Sequence, residues 1–361
     1  MYLIVLNFHK SNHFKTVMNS SILKVNLLIL IVLIFLSCSG QNKKDASDFF
    51  LKANHSFVQK NYTEALRLYD EAISKNPDFS DAYLNKGLCL LKLNKPADAY
   101  EVLTQAINID PTLVQANLVR AETALLLGKL IDAENDLKVI EKEYKDSSRY
   151  FLVRGNLHDA KDLSPLSIAD YDRAIQLDKS NVEALVNRGA RYYKQKEHSQ
   201  AKKDFLAALD VKPSQIEALN NLALIAIYEN KLDDAVTLFD RILNLNPANA
   251  LALNNKGYAY LRQGKLEQAA KLIDRSLDIE PGNGYALRNM GIYYQKSGQP
   301  DKALIEFNKA IEIAEPVDDL YGLTGKVYFD MNDKTNACKI WKQGIILKDS
   351  IAVSEFKSKC Q

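Results

Sequence analysis

Three prolines, Pro213, Pro247 and Pro281, recur every 34 residues, a spacing that a single globular core has no use for. Ala201, Ala235 and Ala269 keep the same step, as do the small residues Gly189, Ala223 and Gly257. A period this short predicts stacked helix–turn–helix repeats, each packed on its neighbours in the chain. Carried outward, the ruler starts repeats at Ala46, Ser80, Val114, Ser148, Val182, Ile216, Ala250, Gly284 and Asp318, and closes at Ile351 without insertion or deletion.

The eighth residue of every repeat is Gly or Ala, six times Gly (Gly87, Gly155, Gly189, Gly257, Gly291, Gly325). Glycine inside a helix costs roughly 0.5–1 kcal/mol against alanine, so its recurrence at one register requires a compensating close approach. The twenty-fourth residue supplies the bulk for that approach: Tyr69, Leu103, Leu137, Tyr171, Phe205, Phe239, Ile273, Phe307 and Trp341. The twentieth is again small, Ala in eight repeats and Ser167 in the fourth. On these positions, and on the prolines at the thirty-second, the chain resembles the tetratricopeptide repeat family over residues 46–351. Ile140 and Ile242 depart from the small residue the family has at the twenty-seventh position, and Lys145, Lys179, Glu315 and Asp349 replace the proline. The resemblance implies an all-α fold, a right-handed α-solenoid (superhelix) of about nine repeats. Ala352, Phe356 and Cys360 share one face of a final stretch, 352–361, expected to be a helix capping the last repeat.

The first residues are of another kind. Leu27–Leu36 is an unbroken apolar run, too short for a spanning helix of roughly 20 residues, with Lys24 before it and Ser37-Cys38 after it. It resembles the signal peptide and lipobox of bacterial lipoproteins, with Phe35 in place of the usual leucine. That resemblance implies a signal over 1–37, with Met18 the expected start, acylation of Cys38, and a tether over 38–45. It places the repeats at a bacterial cell envelope membrane, the outer one favoured.

Charge and composition narrow the function. The chain carries 47 Lys+Arg against 45 Asp+Glu, and residues 1–38 hold three basic and no acidic side chains, so the repeats are nearly neutral. Nucleic acid is not the expected partner of such a surface. With 5 histidines and 4 cysteines scattered along the chain, no metal site and no cofactor is expected. His158, Asp159 and Asp162 form a polar cluster at a helix end, where solvation accounts for them, and the chain is read as a non-enzyme. Cys338 and Cys360 could form a disulfide or lie as thiols packed side by side.

The sixth position points to binding. It is asparagine at Asn85, Asn187, Asn221, Asn255 and Asn289, the last four in successive repeats. This row resembles the asparagine ladder of O-linked N-acetylglucosamine transferase, which implies amides that grip the backbone of an extended peptide. Tyr193, Tyr228 and Tyr258, with Lys194, Arg262, Arg288 and Lys296, are expected on the same inner face. Toward the N-terminus Leu84, Leu88, Leu91, Leu118, Leu125 and Leu152 are expected to make that face apolar. The reading is a scaffold whose concave groove holds a protein or peptide partner, with self-association left open. The alternative is a binder of cell-wall glycan or another small envelope ligand.

Overall fold

The computed structural model describes residues 41–313 and 316–360; the signal, the start at Met18 and Cys38 lie outside them. The chain divides into two compact units, Met1–Asp170 and Tyr171–Gln361. Every regular element among the described residues is a helix.

The first helix of a repeat keeps one length: Ser80–Lys92, Val114–Leu126 and Ser148–Ala160 in the N-terminal unit have 13 residues each. So do Val182–Lys194, Ile216–Tyr228, Ala250–Arg262 and Gly284–Lys296 in the C-terminal unit. Second helices such as Pro96–Ile109, His198–Val211, Leu232–Leu245 and Leu266–Ile279 have 14. Local chemistry sets these bounds. The side chains of Asn181, Asn249 and Asn283 accept from the N–H of Ala184, Ala252 and Ala286 at 3.0, 2.9 and 3.0 Å, capping first-helix N-termini.

The turn inside each repeat is built on a left-handed residue, always the fifteenth: Lys60, Asn94, Gly128, Asp162, Lys196, Asn230, Gly264, Gly298 and Asn332. The next backbone N–H then reaches back five residues, Lys231 to the Ala226 carbonyl at 2.8 Å and Lys265 to Tyr260 at 2.9 Å, which closes the helix end. Between repeats, Asn76, Asp110 and Asn246 leave the helical region just before Pro77, Pro111 and Pro247, as residues before proline must. The second helix is shorter in two repeats that lack that proline, the third, Leu130–Ile140 with 11 residues, and the eighth, Pro300–Ile311 with 12, but keeps 14 residues in the fourth, Ser164–Leu177, which lacks it too.

The close approach at the eighth position is present. A Cβ on Gly87 would lie 2.7 Å from Leu103, one on Gly189 2.8 Å from Phe205, and one on Gly257 2.6 Å from Ile273. Gly291 and Gly325 likewise face Phe307 and Trp341. Phe205, Phe239, Ile273, Phe307 and Trp341 are fully buried beneath them.

One expectation is corrected. Leu84, Leu118 and Leu152 are 2, 1 and 7 % exposed and belong to the core, so they cannot line an open apolar face. They sit where one first helix packs on the next repeat, and an apolar residue there is drawn inward. Leu88, Leu91 and Leu125 remain half-buried at the surface of that unit.

Candidate functional site

The asparagine row does not stand as free amides. In the C-terminal unit it is threaded onto a second row one position earlier. Asn255 Nδ2 donates to Asn220 Oδ1 at 3.2 Å, and Asn254 Nδ2 donates to Asn255 Oδ1 at 3.3 Å. Asn289 Nδ2 donates to Asn254 Oδ1 at 2.8 Å, while Arg288 donates to Asn289 Oδ1 through Nε and Nη2 at 3.2 and 3.0 Å. The chain ends where Arg288 Nη1 donates to the Asp318 carbonyl at 3.0 Å. Asn254 and Asn289 are each 1 % exposed, and bonding to one another is how such buried amides avoid the roughly 1–3 kcal/mol cost of an unmet polar group. Asn289 is thus a structural link, and Asn255 has both its oxygen and its nitrogen engaged.

Asn221 differs. It is half-buried, has no side-chain hydrogen bond among the described residues, and lines a cavity of about 440 Å³ with Asn220, Asn246 and Leu251. Asn187, in the same register, is half-buried and has a polar partner. In the N-terminal unit Asn85 Nδ2 donates to Asn54 Oδ1 at 2.9 Å, where Tyr69 also donates at 2.7 Å. Those three residues, with Phe57, Val58 and Leu88, surround a small cavity of about 180 Å³. The doublets Asn220-Asn221 and Asn254-Asn255, 34 residues apart, were the available sign that two rows rather than one were involved.

The aromatic candidates separate into a buried and an exposed group. Tyr258 is half-buried with the Arg288 guanidinium 5.5 Å from its ring centroid, and Arg288 also lies 5.1 Å from Tyr285. Tyr285 donates to Asp318 Oδ2 at 3.2 Å. Burial, then the Asp318 carboxylate, raises the Tyr193 hydroxyl above its ordinary range. Tyr228 is 70 % exposed and rests on the His198 ring at 4.3 Å between centroids, while Tyr193 meets the same ring edge-on at 5.3 Å. His198 was not singled out in the sequence; its Nδ1 is buried with no hydrogen-bond partner.

Lys194, Arg262 and Lys296 are exposed. Arg262 donates to the neutral Asn230 Oδ1 at 3.1 Å, and Lys194 and Lys296 have no carboxylate partner among the described residues. Several arginines elsewhere are spent in structure. Arg120 grips Asp136 through Nε and Nη2 at 2.8 and 2.6 Å, and Arg188 grips Asp204 at 2.7 and 2.6 Å. Arg154 holds Asp170 at 2.7 Å, and His158 Nδ1 also contacts that carboxylate at 2.8 Å, which places His158 in an ion-pair network.

At the last repeat Cys338 and Cys360 are joined in a disulfide with their Cα atoms 5.8 Å apart. Trp341 is fully buried beside Ala337 and Ala352, with Phe356 and Cys360 packed against them. Among the described residues no cluster of His, Cys, Asp and Glu could hold a metal ion, and no helix is long and apolar enough to cross a membrane.

Helical hairpins stacked in register define a helical-repeat scaffold for protein interaction. Tetratricopeptide repeat family models match residues 57–112, 220–284 and 286–316. Human DnaJ homolog subfamily C member 7 is 28 % identical over 150 residues, 41 % of this chain and 29 % of that protein. Human protein O-mannosyl-transferase TMTC3 is 43 % identical over 60 residues, 17 % of this chain and 6 % of that one. The chain therefore spans under a third of either relative. The crystal structure of the APC/C hetero-tetramer Cut9-Hcn1 superposes with a TM-score of 0.62 at 13 % identity, covering 88 % of this chain and 76 % of the other, a likeness of fold.

Proposed function

We propose that the C-terminal unit holds an extended segment of a protein partner along its concave face, and that a lipid on Cys38 tethers the chain to the bacterial envelope. The observation that carries the first part is Tyr228, exposed over His198 on the face where Asn221 keeps an uncommitted amide. A large rigid ring loses little rotational freedom on binding, and an amide can both give to and accept from a peptide group. Asn255 and Asn289 support this grip from beneath by fixing the first helices to one another.

The test is a photo-crosslinking amino acid placed in cells at Tyr228 and, as control, at Leu206, which is 47 % exposed on a second helix. A discrete adduct with another protein from the Tyr228 site alone is the expected result. Equal adducts from both sites, or adducts with wall glycan only, overturn the reading; in the second case the glycan binder replaces it. An adduct between two copies of the chain would make the partner the chain itself.

The tether rests on the sequence around Leu27–Leu36 and Cys38. Growth with an alkyne fatty acid should label the protein, and Cys38→Ser should lose both the label and membrane retention. Labelling that survives Cys38→Ser would remove the anchor.

A further inference from the structure

The thirteenth residues of four successive repeats, Lys194, Tyr228, Arg262 and Lys296, end the first helices of the C-terminal unit, and all four are exposed. Side-chain contacts tie this edge together: Tyr193 and Tyr228 share His198, and Arg262 reaches back to Asn230 in the preceding turn. Beyond Arg262, Gly264, Lys265, Lys271, Tyr293 and Ser297 surround a cavity of about 740 Å³ between the turns of the seventh and eighth repeats. Its lining holds one carboxylate, Glu267, against two lysines. The carboxylate beside Tyr228, Glu229, is already neutralised by Lys231 at 2.6 Å and Lys202 at 3.6 Å. The strip therefore presents three exposed cations, Lys194, Arg262 and Lys296, none of them paired with a carboxylate among the described residues.

Resting on the protein-partner reading, we propose that this edge is a docking strip for an acidic segment in extended conformation, read along its length and not at its terminus. Neighbouring first helices lie about 8–10 Å apart, and an extended chain rises about 3.3 Å per residue. A carboxylate at about every third residue would therefore meet successive repeats. An aromatic side chain opposite the sixth repeat would stack on Tyr228, with Lys194 to one side and Arg262 to the other. Because the cations are exposed, the attraction acts mostly on encounter and is screened by salt.

The test uses fluorescein-labelled twelve-residue peptides with acetylated and amidated ends: one with Glu at every third residue and a central Trp, the other with Gln for each Glu. Anisotropy with the purified chain should rise for the Glu peptide and fall off with salt. Replacing Lys194, Arg262 and Lys296 together by Glu should weaken binding about tenfold or more, with the helical circular dichroism unchanged. Tyr228→Ala should weaken it several-fold with its salt dependence kept. Equal binding of the Gln peptide, unaltered binding by the charge-reversed protein, or no binding of the Glu peptide overturns the proposal. Those outcomes leave a Tyr228 crosslink to a protein intact, so an acidic strip can fail without the partner reading failing.

Discussion

At the residue scale, two lysines in the turns within repeats sit where the backbone disfavours them. Lys60 and Lys196 occupy the left-handed position of their turns at φ 61° and 64°, where the other repeats have Gly, Asn or Asp. An L side chain with a Cβ is strained there, and glycine is not. Lys196→Gly, and separately Lys60→Gly, should each raise stability by about 1 kcal/mol in urea titrations. A loss of stability in both would mean the lysine stems contribute packing that outweighs the strain. The opposite sign is expected at Asp136, 2 % exposed and bound by Arg120 and by Asn117 Nδ2 at 3.2 Å. The hydrogen bond from Arg120 to Asp136 is the main reason that guanidinium is held above its ordinary pKa. Asp136→Ala strands the guanidinium and should cost about 3–5 kcal/mol, whereas the paired change Arg120→Met with Asp136→Leu should cost much less. Similar losses from the single and paired changes would show that packing, rather than charge, decides this site.

At the element scale, the final helix Ser350–Lys359 is held by a cap, ion pairs and a disulfide. Asp349 accepts from Ala352 N at 2.9 Å, capping the helix, and from Gly322 N at 2.8 Å, fastening it to the first helix of the ninth repeat. Glu355 pairs with Lys326 at 3.2 Å and Lys359 at 2.9 Å, and the disulfide closes a separation of 22 residues. Opening a loop of that size removes about 3 kcal/mol. Cys360→Ser, or reduction by a dithiol, should loosen this helix and expose Trp341, the single tryptophan of the chain. Emission from Trp341 should shift to the red and become quenchable by iodide while most helicity remains. An unchanged Trp341 signal after complete reduction would show that the ion pairs and the Asp349 cap suffice.

At the scale of the whole molecule, what the sequence disclosed and what it hid have one cause. Volume constraints act at a fixed register, so the glycines facing Leu103, Phe205 and Phe307 were legible from a 34-residue ruler. The left-handed fifteenth position, which no expectation above named, carries Gly128, Asn230 and Gly264 but also Lys60 and Lys196, residue types that give no sign of it. The grip of Arg120 on Asp136 and the Asn255–Asn220 bond join residues on different helices, and only the angle and stagger of hairpins bring them together. For the same reason the sixth-position asparagines could be placed on one face, while the spending of Asn289 on Asn254 could not be read. A chain stacked this way couples each repeat mainly to its neighbours, so one end should be able to loosen while the other holds. The alkaline response tests this. Burial, with a smaller push from Cys89, raises the Tyr69 hydroxyl to about 12, and burial raises the Cys89 thiol to about 11. Both groups fold in the neutral form with pKa values above those of the unfolded chain. Their contribution is therefore complete below about pH 9 for the thiol and about pH 10 for the phenol, and is lost as pH climbs through 11 and 12. Far-ultraviolet circular dichroism should then fall in part over that window, as the first two repeats open, with Trp341 fluorescence in the ninth unchanged. Tyr69→Phe, which cannot ionise, should move the loss to higher pH. A titration that Tyr69→Phe leaves in place would show that other phenols raised by burial, Tyr193 among them, carry the loss, and a fall of Trp341 fluorescence that Tyr69→Phe delays would mean that the repeats unfold as one block.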